Sequence, residues 1–341
     1  MSAAQSRRFG VDIVGFGPIG RRLAQVLATD SELKRKFLVA SISDSSGSFF
    51  PKSSSIVLHA VEWKEGGKKV RELEGAKSVD AIKESDASIS IDLTNSDYSK
   101  FDQARKRAES TLNSGKHLVF ASKVALSFYF SEISSIAKRR GLLLGSGATI
   151  CGGRNAITIA KNIGTGEIKT ASAVLNASTT KILSSLEENI SLTFEDACNI
   201  ASKAGILESD WSVDLDGIDA AAKTAILANF LFPKSKLSFR DVKRSGIREK
   251  NSEKLIDSVR RSRNEKRIRL ISEIDGSGRA SVAPKLIEGS SVLAVEGRFN
   301  AVSMETKTLG EISVRSLGGG VDLTSSVIIS DLKMISEKSI Q

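Results

Sequence analysis

The feature that most constrains this chain is a glycine-rich turn close to its N-terminus. The short apolar run from Phe9 to Val14 predicts a strand, and the residues from Arg21 to Thr29 predict an amphipathic helix. A strand, a Gly-x-Gly-x-x-Gly turn and a helix in this order are typical of dinucleotide-binding folds, in which the turn and the helix N-terminus face the phosphates. The residues of this turn, which we predict to bind a dinucleotide, are Gly15, Phe16, Gly17, Pro18, Ile19 and Gly20.

The elements that follow alternate between strand and helix, which predicts an α/β domain with a Rossmann-type doubly wound parallel sheet. Strands are predicted at Phe37–Ser43, Ser88–Leu93, His117–Phe120 and Leu142–Leu144, helices at Val57–Val79, Lys100–Ser114 and Ser131–Arg140, and a loop at Ser45–Ser55. In such folds the carboxyl ends of the strands deliver side chains to the cofactor cleft. On this basis we predict cofactor contacts from Ser45, Thr94, Asn95, Ser122 and Lys123.

Asp44 ends the second predicted strand, 24 positions after Gly20. A carboxylate at this point can accept a hydrogen bond from a ribose 2′-hydroxyl, which favours NAD, and it would repel the 2′-phosphate of NADP. The nearby residues Ser45, Ser46 and Lys52 offer hydrogen-bond donors to a phosphate. The sequence therefore predicts NADP or NAD as the cofactor and leaves the preference open.

The order of predicted helices and strands in the second half of the chain indicates an α+β domain. Helices are predicted at Asn155–Asn162, Phe194–Gly205 and Ile218–Leu231, and strands at Ile168–Ala177, Ile268–Ile274, Ser291–Gly297 and Ala301–Thr306. The segment from Lys243 to Arg269 holds 11 of the 50 Lys and Arg residues, but four acidic residues are interleaved with them. We interpret it as a solvated helix face followed by a strand rather than a nucleic-acid site.

The densest group of ionisable residues runs from Glu208 to Lys223. Five acids, Glu208, Asp210, Asp214, Asp216 and Asp219, occupy twelve positions just before an alanine-rich helix. Asp216 is predicted to cap that helix, and Asp219 and Lys223 share one of its faces because they are four residues apart. Lys223 lies either at the solvent-exposed edge of the helix or in a partly desolvated position. In the second case its pKa would fall towards the range useful for proton transfer. A capped helix with an ordinary surface ion pair stays the alternative.

Composition narrows the chemistry further. The 341 residues include only two histidines, His59 and His117, and two cysteines, Cys151 and Cys198. A three-histidine zinc site and a disulfide scaffold are therefore excluded, and we expect two buried thiols. Because neither histidine lies near the acidic block, lysine is the reasonable proton donor. No apolar run is long enough for a membrane span, and we expect a cytoplasmic protein.

Taken together, these segments resemble the homoserine dehydrogenase family over nearly the whole chain. Its cofactor loop is similar to residues Gly15–Gly20, its most specific signature to the acidic run that ends at Lys223, and its active-site lysine segment to Gly115–Lys123. Further similar segments are Ile42–Gly47, Ile91–Thr94, Val282–Pro284, Gly297–Asn300 and Gly318–Gly320 with Thr324. The resemblance implies a cofactor domain over residues 8–148, completed by about residues 320–341, and a substrate-binding and dimerisation domain over 149–319.

The resemblance also implies the reaction, the reversible reduction of L-aspartate 4-semialdehyde to L-homoserine by NAD(P)H. Lys123 and Lys223 would flank the reacting oxygen, with Lys223 transferring the proton and Asp219 orienting it. Glu208, Asp214 and Ser178 would contact the substrate, and Gly320 the cofactor. The partners would be a small-molecule substrate and a second copy of the chain in a homodimer, with no nucleic acid and no membrane.

The chain departs from the family pattern in several places, of which two bear on the predicted substrate and metal contacts. Residues Ala177 to Lys181 stand where the family has Gly-Thr-x-Asn-Tyr, so the aromatic is missing. Residues 147–153 resemble a loop that holds a sodium ion in the family, but Gly147 replaces its glutamate, so the sequence leaves the metal open. After the closing helix, Ser325–Lys338, we expect no regulatory ACT domain and no fused aspartate kinase. The alternatives are another amino-acid or semialdehyde dehydrogenase, or a non-catalytic cofactor-binding relative.

Overall fold

The computed structural model describes residues 8–150, 154–189, 191–205, 207, 210–248, 254, 256–257, 261 and 265–339. The described chain divides into two units, each with its own six-stranded sheet. The first unit contains the described residues up to Ala125, Ser131–Thr149 and those from Gly320 onward, and the second contains Leu126–Phe130 and the described part of Ile150–Gly319.

The sheet of the first unit has the order β3-β2-β1-β4-β5-β6 and is parallel except for β3. The chain moves outwards from β1 in one direction and then in the other, so the carboxyl end of β1 is a topological switch point, where such sheets bind ligands. Its strands are β1 (Phe9–Val14), β2 (Phe37–Asp44), β3 (Gly47–Phe49), β4 (Ile89–Asp92), β5 (His117–Phe120) and β6 (Leu144–Gly145).

Helices cover this sheet and bury its apolar residues. They are α1 (Pro18–Thr29), α2 (Leu33–Lys36), α3 (Ser54–Glu65), α4 (Ala81–Glu84), α5 (Phe101–Asn113), α6 (Val124–Arg139), α7 (Gly147–Ile150) and the last helix, α13 (Val321–Lys338); α6 and α7 cross the boundaries between the units. Leu23 and Leu27 of α1 pack with Ile13 of β1 and with Ile328 and Leu332 of α13 in one core. The C-terminal helix is therefore part of the first unit.

The second unit is a mixed sheet with the order β12-β11-β7-β9-β10-β8. Its strands are β7 (Ile168–Val174), β8 (Lys243–Arg244), β9 (Lys266–Asp275), β10 (Ala280–Glu288), β11 (Phe299–Thr306) and β12 (Glu311–Leu317). Its helices are α8 (Arg154–Ile163), α9 (Ala177–Glu188), α10 (Phe194–Lys203), α11 (Ser212–Leu215) and α12 (Ile218–Leu231). Together the two sheets confirm the predicted α/β fold class.

Helix α12 lies in the interior of the second unit. Eleven of its fourteen residues are buried, and five of these are alanine, so the helix can approach β9 and β10 closely. The Thr224 hydroxyl donates to Ser272 of β9 at 2.7 Å, which fixes the helix against the sheet. A lysine on such a helix must either reach solvent or find a buried partner.

Several predicted boundaries are wrong. The predicted loop Ser45–Ser55 contains β3 and the start of α3, and the predicted helix Val57–Val79 ends at Glu65, followed by two glycines. Helix α9 overlaps the predicted strand Ile168–Ala177 at Ala177 and was otherwise not predicted. Its Ser and Thr residues interrupt the apolar periodicity that would indicate a helix. The predicted strand Ser291–Gly297 is a loop whose Leu293 and Val295 are buried by packing on Ile271 without strand pairing.

Candidate active site

The glycine turn between β1 and α1 forms a cradle made of backbone. Gly15 has a φ of 109°, and its N–H donates to the Ser43 carbonyl at 2.9 Å. A Cβ at Gly15 would lie 2.5 Å from the Leu93 oxygen, and one at Gly20 would lie 2.3 Å from the Gly15 oxygen, so neither position admits a side chain. A Cβ at Gly17 would meet open space, and no side chain caps the first turn of α1. The cradle therefore fits a pyrophosphate.

A cleft of about 690 Å³ opens beside this cradle within the first unit. Seven of the predicted cofactor residues line it: Gly15, Phe16, Gly17, Asp44, Ser45, Thr94 and Asn95. Pro18, Ile19 and Gly20 lie in the first turn of α1 instead, outside its lining, where Pro18 begins the helix. The structure thus gathers the ends of β1, β2 and β4 around one space large enough for a nucleotide.

Asp44 lies at this cleft with a partner that the sequence did not indicate. The Lys64 ammonium contacts Asp44 Oδ2 at 2.5 Å, and the Ser46 N–H and hydroxyl both donate to Oδ1. Burial by itself would raise the pKa of Asp44, but the hydrogen bonds from Lys64 and Ser46 outweigh it and lower the pKa. Lys64 also lines the cleft, so the carboxylate is presented together with a cation.

A second ion pair, between Arg107 and Asp92, lies at the carboxyl end of β4. Arg107 of α5 lies 3.1 Å from the buried Asp92 carboxylate and donates to the Thr94 hydroxyl at 2.6 Å, while Thr94 donates to Asp92. Arg107 lines the cleft and, like Lys64, escaped the sequence prediction. This pair fixes the turn that carries Asn95.

The remaining predicted cofactor residues of the first unit lie outside the lining of this cleft. Ser122 follows β5 and is buried, and its hydroxyl has no hydrogen-bond partner among the described residues. Lys123 precedes α6, half-buried, and its backbone N–H donates to the Ser96 hydroxyl. Gly320, with a φ of 111°, precedes α13.

The second unit holds a buried cluster of two carboxylates, a lysine and an amide. Lys223 Nζ lies 2.7 Å from Asp219 Oδ2 and donates to the Leu175 carbonyl at 2.8 Å. Asn176 Nδ2 donates to Asp214 Oδ1 at 2.6 Å and to Asp219 Oδ2 at 3.0 Å. The Lys223 and Asp219 side chains are 16% and 10% exposed. Lys223 is therefore partly desolvated and paired, which the surface ion-pair alternative did not anticipate.

Asp214 has the most unusual environment of the cluster. Burial and then the neighbouring Asp219 charge raise its pKa from 3.8 to about 6, against the opposing effect of Asn176, Lys223 and Ser178. The hydrogen bond from Ser178, at the start of α9, places this predicted substrate contact beside Asp214. A carboxyl with its pKa close to neutrality is typical of functional sites.

Asn176 is the residue of this cluster that the sequence prediction missed. Its Oδ1 accepts the Thr179 N–H at 2.8 Å, so it caps α9. Asparagine before a helix is a recognisable cap signal, but α9 itself was not predicted.

Other predictions for the acidic block have mixed outcomes. The prediction that Asp216 caps α12 is wrong: Gly217, with a φ of 72°, occupies the cap position, and Asp216 contacts Arg248 at 3.2 Å. Glu208 and Cys151 lie outside the described residues. Cys198 is buried, which raises its thiol pKa to about 11.

The sequence left a metal site open. Among the described residues no group of three His, Cys, Asp or Glu side chains is placed to hold a metal ion. Part of the loop considered for sodium, residues 151–153, lies outside them. Within the described chain, no helix has both the length and the apolar character needed to cross a membrane.

The first unit has the fold and the glycine turn of a dinucleotide-binding protein, and the second unit adds a buried lysine–carboxylate cluster. Residues 157–332 match the family model described as homoserine dehydrogenase. A homoserine dehydrogenase from Methanocaldococcus jannaschii is 34% identical over 94% of this chain and 96% of its own, and an NAD(+)-dependent one from Pseudomonas canavaninivorans is 28% identical over 94% of both. The solved structure of a hyperthermophilic archaeal homoserine dehydrogenase in complex with NADPH is 30% identical and superposes with a TM-score of 0.82 over 97% of this chain and 98% of its own.

The chain therefore belongs to the homoserine dehydrogenase family. The resemblance drawn from the sequence motifs is confirmed, and so is the prediction of an NAD(P)-dependent oxidoreductase that acts on a small molecule. The alternatives of another dehydrogenase or a non-catalytic relative are not favoured.

Proposed function

We propose that this chain catalyses the reversible NAD(P)H-dependent reduction of L-aspartate 4-semialdehyde to L-homoserine, a step of threonine, methionine and isoleucine biosynthesis. The observation that carries this proposal is the buried cluster in which Lys223 meets Asp219, with Asp214 beside them. The substrate carries both a reacting carbonyl and an ammonium group, so its site needs a proton donor and an anionic partner. The cluster supplies both.

For the cofactor, the proposed residues are those of the glycine turn and the cleft beside it. The cradle at Gly15 and Gly17 and the free N–H groups of α1 suit a pyrophosphate. When bound, a nicotinamide cofactor supplies or accepts the hydride at the reacting carbon. The Asp44 carboxylate can accept a ribose hydroxyl, and the Lys64 ammonium beside it offers a partner for a 2′-phosphate. We therefore propose that the chain accepts both NAD and NADP.

Lys223 is the proposed proton donor of the reduction. As a hydride reaches the carbonyl carbon, negative charge develops on the oxygen, and the Lys223 ammonium gives that oxygen a proton to form the alcohol. In the oxidation the neutral amine takes the same proton back. Asp219 holds the ammonium from one side and the Leu175 carbonyl from another, so the lysine has a defined direction. Lys123 stays a second proposed catalytic lysine on the family resemblance alone.

The proposed holders of the substrate ammonium group are Asp214 and Glu208. Asp214 must be ionised for this, and its pKa of about 6 allows that at neutral pH. Ser178, which hydrogen-bonds Asp214, is proposed to contact the same substrate. The assignment of Glu208 rests on the resemblance.

We further propose a homodimer in the cytoplasm. Ser313, Ser303, Ser172, Glu273 and Ser281 are register partners in one row across five strands, from β12 to β10. Ser272, which faces α12, has the opposite orientation to its neighbour Glu273, so this row lies on the other face of the sheet. Four of the five residues in this row are serines, whose small side chains would let a second sheet approach closely. The cytoplasmic location rests on the place of the reaction in amino-acid biosynthesis.

The experiment that tests the proposed function is an assay of the purified chain with L-homoserine and either NAD or NADP. We expect the absorbance of the reduced nicotinamide to rise. L-serine, which is one methylene shorter, is the matched control substrate and is expected to react far more slowly. No reduction of either cofactor with L-homoserine would refute the proposal.

A further inference from the structure

The junction between β7 and α9 contacts every charged residue described in the second-unit cluster. Leu175 provides the carbonyl that accepts a hydrogen bond from Lys223 Nζ at 2.8 Å. The next residue, Asn176, donates to both Asp214 and Asp219, at 2.6 and 3.0 Å. Asn300 of β11 also donates to the Leu175 carbonyl, at 3.4 Å. Two consecutive residues thus connect a lysine and two carboxylates that lie 38 to 48 positions further along the chain.

The chemistry of Asn176 matches this position fully. Its Oδ1 accepts the Thr179 N–H at 2.8 Å. If the amide were flipped, its NH2 group would face the Thr179 N–H and its oxygen would face the carboxylates of Asp214 and Asp219, so only the present orientation is favourable. Its Nδ2 has two hydrogens, and each has its own carboxylate acceptor. The residue is 2% exposed, so water does not compete for these bonds.

We propose that Asn176 is a positioning residue of the reaction, whose amide holds Asp214 and Asp219 in their ionised, adjacent arrangement and so fixes Lys223 and the substrate ammonium group. This inference rests on the proposed function of the cluster. Asn176 acts through its neighbours and is not itself assigned a contact with substrate.

The physical reason is the repulsion between two buried carboxylates. The charge of Asp219 is one cause of the raised pKa of Asp214, and the hydrogen bonds of Asn176 and Ser178 and the charge of Lys223 oppose it. These are the charged and donor groups from α9 and α12 that act on Asp214. Removing the amide donor leaves repulsion and desolvation less opposed, so Asp214 would take up a proton at a higher pH.

The test uses Asn176→Asp, which keeps an oxygen to cap α9 but replaces the shared donor with a third carboxylate. We expect the KM for L-homoserine at about pH 7 to rise at least tenfold, and the acid limb of the kcat/KM profile to move up by about one pH unit. The KM for the cofactor should not change. Asn176→Ser, which keeps the cap without adding charge, should raise the KM with a smaller movement of the acid limb.

Thr193→Ala is the matched control. Thr193 caps α10 through its side-chain oxygen, which accepts the Asp196 N–H at 3.1 Å, and it lies outside the cluster. We expect this variant to lose thermal stability as a cap variant does, with wild-type KM, kcat and pH profile. A purely structural role for Asn176 would give the same result in Asn176→Ser, which adds no charge to the cluster.

A second measurement does not depend on turnover. The difference in melting temperature between wild type and Asn176→Asp should grow from about pH 5 to about pH 8, because the folded protein, with three adjacent carboxylates, binds a proton more tightly over this range than the unfolded chain does. The difference for Thr193→Ala should stay constant. A constant difference for Asn176→Asp, or wild-type KM and acid limb in an active Asn176→Ser, would overturn the inference. If the wild type fails to oxidise L-homoserine but the melting difference grows, the proposed function fails while the electrostatic role of Asn176 stands.

Discussion

Two of the buried lysine–aspartate pairs in the described part of the chain look alike in isolation and differ in their surroundings. In the first unit Lys116 Nζ lies 2.8 Å from Asp12 Oδ2, and in the second unit Lys223 Nζ lies 2.7 Å from Asp219 Oδ2. Lys116 also donates to the Ser85 carbonyl, as Lys223 does to that of Leu175. The distances therefore do not distinguish the pairs.

Their surroundings do. The Lys116 and Asp12 side chains are 5% and 0% exposed, and the hydroxyls of Ser41 and Ser85 donate to the other Asp12 oxygen. Lys223 and Asp219 are 16% and 10% exposed, and a second carboxylate with a raised pKa lies beside them. In the Lys116–Asp12 pair, which we call the closed pair, both carboxylate oxygens accept hydrogen bonds and solvent is excluded, so this pair stabilises the fold. A pair with some access and an excess of negative charge can exchange protons and bind a cation.

The largest effect we expect is on turnover in Lys223→Met. Removing the proposed proton donor should lower kcat/KM about 10²- to 10⁴-fold. The cofactor affinity, measured by fluorescence titration, should stay at the wild-type value, because the proposed cofactor residues lie in the other unit. A Lys223→Met enzyme with wild-type turnover would contradict the mechanism.

The next effect is on stability in Lys116→Met. This change leaves Asp12 buried without its cation and should lower the free energy of unfolding by about 3–5 kcal/mol. Denaturant unfolding followed by circular dichroism measures it. The control is Lys266→Met, which removes a pair with Glu288 at 3.8 Å in which both side chains are well exposed. It should cost at most about 1 kcal/mol. Equal losses in the two variants would contradict the assigned role of the closed pair.

Asp214→Asn should separate stability from activity in the cluster. A pKa raised from 3.8 to about 6 means that the folded protein binds the Asp214 proton more tightly than the unfolded chain does. The stabilisation from that proton is complete below pH 3.8 and is lost as the pH rises through about 6. Asn176 can still donate to the new amide oxygen. The variant should therefore gain up to roughly 3 kcal/mol at about pH 8 and nothing near pH 4, with a much higher KM for L-homoserine. Unfolding curves at the two pH values decide this.

The smallest effect concerns cofactor choice. Lys64→Met removes the cation beside Asp44 and should lower the preference for NADP over NAD about tenfold, which is about 1.4 kcal/mol. The ratio of kcat/KM with the two cofactors measures it. Lys68→Met is the control, since Lys68 is exposed over Trp63 and does not line the cleft. An unchanged ratio in Lys64→Met would remove Lys64 from cofactor selection.

In both units, the features that could be predicted from sequence are those set by neighbouring residues. The turn at Gly15–Gly20 is specified by neighbouring residues and by backbone geometry, so a local motif was enough to predict it. The pairing of Asp219 with Lys223 was likewise predictable, because residues four apart share a helix face. Both features depend on contacts within a few residues.

The contacts that escaped prediction join distant residues. Lys64 meets Asp44 across 20 positions, and Asn176 meets Asp214 across 38. Such pairs are set by the packing of whole elements, which a single sequence does not specify. Asn176 was also missed because the Ser- and Thr-rich α9 was not predicted as a helix, and a cap residue is recognised only in front of a predicted helix.

The most direct test of the central claim is hydride transfer from L-homoserine deuterated at carbon 4, compared in the wild type and in Lys223→Met. We predict that the wild type forms reduced nicotinamide carrying deuterium and that Lys223→Met, although it binds the cofactor, forms it at least about 100-fold more slowly. Reduced cofactor without deuterium, no reduction in the wild type with either NAD or NADP, or equal rates in the two proteins would contradict the account.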